Sequence, residues 1–236
     1  MTELVTRNGW LMPTAVSSKM FGQWRREAVE HIDAAMPFWK QRRCCVQAGG
    51  NLGIWPRMLV EDYGFDEVYT FEPDATNFKC LAANTCHEPA ISRFNCGLGD
   101  VAGTFAWARA SEHKPGWHKV APDNCAEKYV SGTVEVMLLD DICLSADNEE
   151  VDFLALDIEG YELEALKGAE ATIARCRPVI LIEDMGRSRF PGFAKRSTVA
   201  YGNPPGAVQY WLTQHGYRRV AEIKNDEVHA PVETLA

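Results

Sequence analysis

The hydrophobic and polar positions of this chain alternate between two rhythms. Cys44-Cys45-Val46-Gln47-Ala48 is a short, nearly unbroken apolar run. Such a run, followed by Gly49-Gly50-Asn51-Leu52-Gly53 and a segment with Pro56 in its first turn, predicts a buried strand, a tight turn and a helix. Val68-Tyr69-Thr70-Phe71 predicts a second strand over 67–71, running into Glu72-Pro73-Asp74, and Asp74 opens a helix with Phe78, Leu81 and Ala82 on one face. A third strand is expected over 90–96, ahead of Gly97-Leu98-Gly99-Asp100. Val151-Asp152-Phe153-Leu154-Ala155-Leu156 reads as a central strand ending at Asp157-Ile158-Glu159-Gly160. After it, Leu163, Leu166, Ala169 and Ile173 predict one helix, and Pro178-Val179-Ile180-Leu181-Ile182 a strand ending at Glu183-Asp184. Ala207 to His215 reads as a helix and 217–223 as the last strand, the final dozen residues carrying no signal.

Two stretches break the alternation. Between 100 and 137, Gly103-Thr104-Phe105-Ala106-Trp107-Ala108 and Thr133-Val134-Glu135-Val136-Met137 predict an antiparallel excursion in place of a crossover helix. Residues 185–206, with Arg187, Arg189, Lys195 and Arg196 among glycines and prolines, predict a loop long enough to be functional or mobile. Residues 1–16 show no period and read as an arm. From Ser17 or Ser18 to Gln41, Phe21, Trp24, Ala28, Ile32, Ala35 and Trp39 recur at helical spacing. That helix either packs on the sheet or caps the ligand end, and the two are compatible. The expected architecture is an α/β, Rossmann-like fold: a mainly parallel central sheet with helices on both faces. Residues 1–41 form an N-terminal arm and helix and 42–236 the main body of one globular domain.

In such folds ligands gather beyond the carboxyl ends of the strands. Glu72, Asp157, Glu159, Glu183 and Asp184 all fall there, so one sheet edge is expected to be lined with carboxylates. The turn lacks the G-x-G-x-x-G of dinucleotide folds, since Asn51 and Ile54 stand where glycines belong. It has G-x-N-x-G instead, which suits a nucleoside without a pyrophosphate, with Glu72 accepting ribose hydroxyls. Gly49, Gly50, Asn51, Gly53, Glu72 and Pro73 are the expected cradle. Asp100 either lies near the adenine or begins a turn.

Composition narrows the partners. The net charge is −9 from 24 basic and 33 acidic residues, which speaks against binding along a nucleic-acid backbone. No apolar stretch approaches the roughly 20 residues that span a bilayer. The eight cysteines form no C-x-x-C and read as reduced core residues. With no apolar leader at the N-terminus, the cytoplasm is the expected location.

Val46-Gln47-Ala48-Gly49-Gly50-Asn51-Leu52-Gly53, Phe71-Glu72-Pro73-Asp74, Leu139-Asp140-Asp141 and Leu156-Asp157-Ile158-Glu159-Gly160-Tyr161-Glu162 together resemble the FkbM family of S-adenosylmethionine-dependent methyltransferases. Leu166-Lys167-Gly168-Ala169 and Pro178 to Glu183 continue the resemblance in order. It implies a class I fold, S-adenosyl-L-methionine as cofactor, and O-methylation of a hydroxyl on a small molecule or saccharide. It also implies that the position of Gln47, usually Asp, helps hold the cofactor's ammonium group. Another position, often Lys, is Ala155 here. These two departures keep open a second reading, a non-catalytic binding or scaffold protein on the same fold. For catalysis, Asp157 ends the central strand, beside the expected methyl position, where it orients cofactor or acceptor or simply caps the next helix. A base is needed for the hydroxyl proton, and Asp157, Glu159 and Glu183 are the candidates. A divalent metal held by two of them is the alternative, though no ligand pattern supports one. His31, His113 and His118 are further possible bases, and Trp10, Trp107, Trp117, Trp211 and Tyr201 are candidates for an aromatic acceptor pocket.

Overall fold

The structure is a computed structural model that describes residues 2–109, 118–121, 127–145, 150–183 and 201–235. Its core is a seven-stranded sheet. β3 (Cys44–Ala48), β4 (Glu67–Phe71), β5 (Ile91–Phe94), β10 (Val151–Leu156) and β11 (Val179–Glu183) run parallel in the order β5-β4-β3-β10-β11. β13 (Asp226–Pro231) and β12 (Tyr217–Ile223) complete it antiparallel beyond β11, so the sheet is mixed. β13 inserts between β11 and β12, and its polar sequence Asp226-Glu227-Val228-His229 hid it from a reading by periodicity.

A second sheet, in the order β6-β9-β7-β8, is built from β6 (Gly97–Leu98), β7 (Gly103–Arg109), β8 (His118–Val120) and β9 (Val130–Met137). This is the expected antiparallel excursion, with one difference. The expected third strand stops at Phe94, and Gly97–Leu98 leaves the central sheet to pair with β9. The N-terminal arm is a hairpin of β1 (Leu4–Arg7) and β2 (Trp10–Pro13). Its turn is Asn8-Gly9, both at positive φ, the pairing that two-residue hairpin turns demand.

Helices cover both faces. α1 (Ser18–Ala35), capped by the Ser17 hydroxyl accepting from the Met20 N–H, stops short of Gln41 and passes into a 3-10 turn over Met36–Phe38. α2 (Ile54–Glu61) and α3 (Ala75–Thr85) follow β3 and β4. α4 (Leu139–Ser145) was not foreseen. The single helix expected after β10 is two, α5 (Glu162–Lys167) and α6 (Glu170–Cys176), parted at Gly168, and α7 (Ala207–Gln214) precedes β12. Among the described residues no helix is long and apolar enough to cross a membrane. No disulfide joins the described cysteines, of which Cys44, Cys45, Cys80, Cys96 and Cys143 are buried.

Alternation along the strands sorts the core. Val46, Ala48, Phe71, Leu154, Leu156, Ile180 and Ile182 pack against residues of α4 to α7. Cys45, Val68, Phe153, Ala155, Val179, Leu181 and Val228 face the other way, against Ala28, Ile32 and Ala35 of α1 and Ile54, Met58 and Leu59 of α2. Counting on by two along each strand gives Glu72 after Val68 and Thr70, Asp157 after Ala155, and Glu183 after Leu181; Asp226 shares its face with Val228. Glu72, Asp157, Glu183 and Asp226 therefore emerge together on the α1–α2 side. One strand pitch converts a scattered set of carboxylates into a cluster.

Candidate active site

β3 and β10 are neighbours whose chains leave in opposite directions, β3 toward β4 and β10 toward β11, which opens a crevice between their tips. Gly49 turns the chain there at φ 90°, with its N–H and that of Gly50 donating to the Phe71 carbonyl at 3.0 and 2.9 Å. A Cβ on Gly49 would lie 2.0 Å from the Asp157 carbonyl oxygen, and one on Gly50 2.3 Å from Leu81 Cδ1. These glycines are required first by the protein's own packing. Gly53, at φ 87°, serves as N-cap of α2.

The crevice opens into a cavity of about 380 Å³, within the usual range for small-molecule sites. Of the expected residues, Gly49, Gly50, Asn51, Glu72, Pro73, Asp157, Glu159 and Glu183 line it. Gln47 does not. It is 2% exposed, its amide oxygen accepts from the Thr70 hydroxyl at 2.7 Å, and its amide nitrogen donates to the Ala48 carbonyl. Gln47 and Thr70 are register partners on adjacent strands, so the amide is spent inside the sheet's own face. Asp100 is also absent from the lining. The departure of β6 toward β9 carries it off, and the Gly99-Asp100 backbone packs against Gly168.

Glu72 is the most constrained acid. It is 5% exposed, and its Oε2 accepts from the Asn51 N–H and Oε1 from the Asp74 N–H, both at 2.8 Å. Burial pushes its carboxyl up to about 7, against the two N–H donors, which pull it down. The Asn77 side chain also hydrogen-bonds the carboxyl, and of the roughly four acceptor sites of a carboxylate that leaves about one for a ligand hydroxyl. Asn51, at φ 45°, presents a buried Oδ1 with no hydrogen-bond partner among the described residues. A polyhydroxylated nucleoside fits this donor and acceptor set.

Across the crevice Asp157 is exposed, Glu159 is half-buried at φ 58°, and Glu183 is half-buried with its Oε2 fully enclosed and without a hydrogen-bond partner among the described residues. Burial, then the charges of Asp157, Glu159, Glu162 and Asp226, raise the Glu183 carboxyl well above the usual range. Among the described residues, no three of His, Cys, Asp or Glu are placed to hold a metal ion. The loop carrying Asp157 and Glu159 is held by Glu162, whose Oε1 accepts from the Ile158 and Gly160 N–H groups at 3.1 and 3.0 Å. A Glu162→Ala variant is expected to orphan both donors and lose about 2–4 kcal/mol of stability, read by urea denaturation. A change under about 1 kcal/mol would show that the loop stands without it.

The rest of the wall was only partly foreseen. α1 contributes Trp24, Glu27, Ala28 and His31, so the N-terminal helix both packs on the sheet and covers the cavity. Lys224 and Asn225, the two-residue turn joining β12 to β13, and Asp226, the first residue of β13, also line it. The alternation on either side of Lys224-Asn225 is the signal that could have revealed this turn. Of the proposed aromatic residues that are among the described ones, only Trp107 lines the cavity, joined by Trp24, Trp55 and Tyr161. Tyr201 packs edge-on against Tyr161, Trp211 stacks on His215, and Trp10 packs against Phe21. Of the candidate histidines, His31 is in the wall. His113, the side chain of His118, Trp117, Asp184 and the basic residues between 187 and 196 lie outside the described residues.

Methyltransferase sdnD of Sordaria araneosa is 26% identical over 155 residues, 53% of this chain and 60% of that protein. Hexuronic acid methyltransferase AglP of Haloferax volcanii is 28% identical over 102 residues, 43% of this chain and 40% of that protein. The solved structure of methyltransferase FkbM from Methylobacillus flagellatus KT aligns with 79% of this chain and 42% of that one, at 20% identity and a TM-score of 0.49. The matched stretches thus span 60% or less of these relatives' own lengths. The model of the methyltransferase FkbM domain matches residues 47–219, from within the first strand of the crevice to the start of β12, short of β13. With well over half of its length inside that match, the chain belongs to the FkbM methyltransferase family.

Proposed function

We propose that this chain is an S-adenosylmethionine-dependent methyltransferase acting on a hydroxyl of a small molecule or saccharide. The observation that carries the reading is the Glu72 carboxylate, pinned by the Asn51 and Asp74 N–H groups at the mouth of a nucleoside-sized cavity. Glu72, with Gly49, Gly50, Asn51 and Pro73, would hold the nucleoside end of the cofactor. When bound, the cofactor supplies an electrophilic methyl group on a sulfonium, stabilised by the surrounding carboxylates. From β4 across β3 and β10 to β11 is three strand spacings, about 14 Å, which leaves the Glu183 end for the acceptor.

There Glu183 is the base we favour. Its enclosed Oε2, without a hydrogen-bond partner among the described residues, can take a hydroxyl proton, and a raised carboxyl is a better base near neutrality than an ordinary one. Asp157 and Glu159 then orient the reacting groups. Trp24, Trp55, Trp107 and Tyr161 provide apolar faces suited to a sugar ring, and one relative carries a hexuronic acid in its name. Monosaccharides are therefore the first acceptors to screen.

Calorimetric titration with S-adenosylmethionine should show 1:1 binding; silence at millimolar ligand would favour the scaffold reading, which the buried Gln47 keeps in view. With an acceptor in hand, Glu183→Gln should cut S-adenosylhomocysteine formation by about 10²–10⁴-fold with cofactor affinity unchanged. Full turnover in that variant would remove Glu183 as the base.

A further inference from the structure

Two groups on the acceptor side of the cavity come from outside the family-matched stretch 47–219: His31 on α1, and Asp226 at the start of β13. His31 Nδ1 faces the Glu27 carbonyl oxygen one turn earlier, and Nε2 lies 2.9 Å from Asp226 Oδ2. A backbone carbonyl and a carboxylate both accept, so the two contacts together favour the doubly protonated ring, an imidazolium. Burial works against that charge, but Asp226, then the Glu27 carbonyl and Asp157, outweigh it and raise the His31 pKa.

Asp226 is in turn the register partner of Glu183 in the antiparallel β11–β13 pair. Residues directly opposite hold their Cβ atoms about 4.5–5.5 Å apart on one face, and like charges there repel. Glu183 Oε2 has no hydrogen-bond partner among the described residues to relieve that repulsion. The other groups acting on the trio are Asp157 and Glu159 beyond β10, Glu162 on α5, and Glu27 and Glu30 on α1, bridged by Lys224 at 3.3 Å each. Apart from Lys224, these are acids. His31 is the one cation in contact with Asp226 among the described residues.

We propose that His31 is a positioning residue for Glu183: by neutralising the carboxylate directly opposite, it lets Glu183 give up its own proton and stand ready to take one from an acceptor hydroxyl. The last clause rests on the reading of Glu183 as the base; the coupling itself does not. Loss of the imidazolium returns the full charge of Asp226 to Glu183 and holds its proton on.

Carboxyl ¹³C NMR titration of the full chain, with Glu183→Gln identifying the Glu183 resonance, tests the coupling without an acceptor. In His31→Gln, Glu183 should titrate at higher pH than in the wild type, and in Asp226→Asn at lower pH. The double variant should follow Asp226→Asn, because no charge is left for His31 to neutralise. An unmoved Glu183 in His31→Gln, or a double variant that shifts upward like the single one, would overturn the proposal. Should His31→Gln not fold, the wild-type curve decides: coupling demands a second inflection in the Glu183 resonance as His31 loses its proton, and its absence overturns the inference. Failure of the wild type to bind S-adenosylmethionine would sink the proposed function while leaving this result intact.

Discussion

Replacing Gly49 with alanine is expected to cost this protein about 4 kcal/mol or more of stability, enough to unfold a domain of ordinary stability. Two terms add. The backbone at φ 90° lies where an L side chain costs roughly 1–2 kcal/mol. The new Cβ would also meet the Asp157 carbonyl oxygen at 2.0 Å, and that atom is backbone, so no rotamer change relieves it. Relief requires β3 and β10 to part at the crevice. Gly50→Ala is the control: its Cβ meets Leu81 Cδ1 at 2.3 Å and Thr70 Oγ1 at 2.6 Å, both side-chain atoms that can shift. A loss of about 1–3 kcal/mol is expected there, as for other overpacked sites. Urea denaturation of both variants gives the comparison, and a Gly49→Ala loss no larger than that of Gly50→Ala would contradict the crevice geometry.

The glycine turn, its strand and Glu72 were legible in the sequence because they are local. A buried apolar run, a G-x-N-x-G turn and an acid at the next strand tip lie within 30 residues, and each element imposes its own pattern. The strand-tip acids were legible as a set for the same reason, since every parallel strand announced its end. What escaped was decided by pairing between distant segments. His31 and Asp226 are 195 residues apart, and nothing in either neighbourhood names the other. β13 is polar at half its positions because one of its faces carries its own buried network, in which Glu227 accepts from Arg219 at 2.7 Å and pairs with His229 at 2.9 Å. Alternation that buries charge on one side does not look like a core strand.

Gln47 and Asp100 show the complementary difficulty. Gln47 sits where the family resemblance implies a ligand contact, and Asp100 where the end of the expected third strand allowed one beside a simple turn; in both cases the side chain's direction depends on strand pairing that neither signal encodes. Gln47 is directed at Thr70 by the register of two parallel strands. Asp100 follows a strand that changes sheets after Phe94. Sequence spacing located the crevice; the strand pairing determined which side chains enter it.

Glu72 gives the second large effect. In Glu72→Ala, S-adenosylmethionine affinity should fall by roughly 10–150-fold, the worth of one hydrogen-bonded charged contact of about 1.5–3 kcal/mol. Undiminished affinity would remove the ribose assignment. Stability should respond to pH as well, and the sign follows from a carboxyl raised by burial from 4.5 to about 7. Below pH 4.5 the group is protonated folded and unfolded, so it imposes no penalty. Between about 4.5 and 7 the folded state binds the extra proton, and stability declines as pH rises, by an amount on the order of 3 kcal/mol, then levels off. Glu72→Gln, which keeps an acceptor for one of the Asn51 and Asp74 N–H groups, should flatten that decline in thermal or urea denaturation across pH. A ligand hydroxyl acts in the opposite direction, because it donates to the carboxylate and draws the proton off. Binding should therefore tighten as pH rises toward 7 and release protons near pH 6.5, which titrations in two buffers of different ionisation enthalpy would detect. Proton release absent from the wild type, or unchanged in Glu72→Gln, would mean that the cofactor meets some group other than Glu72.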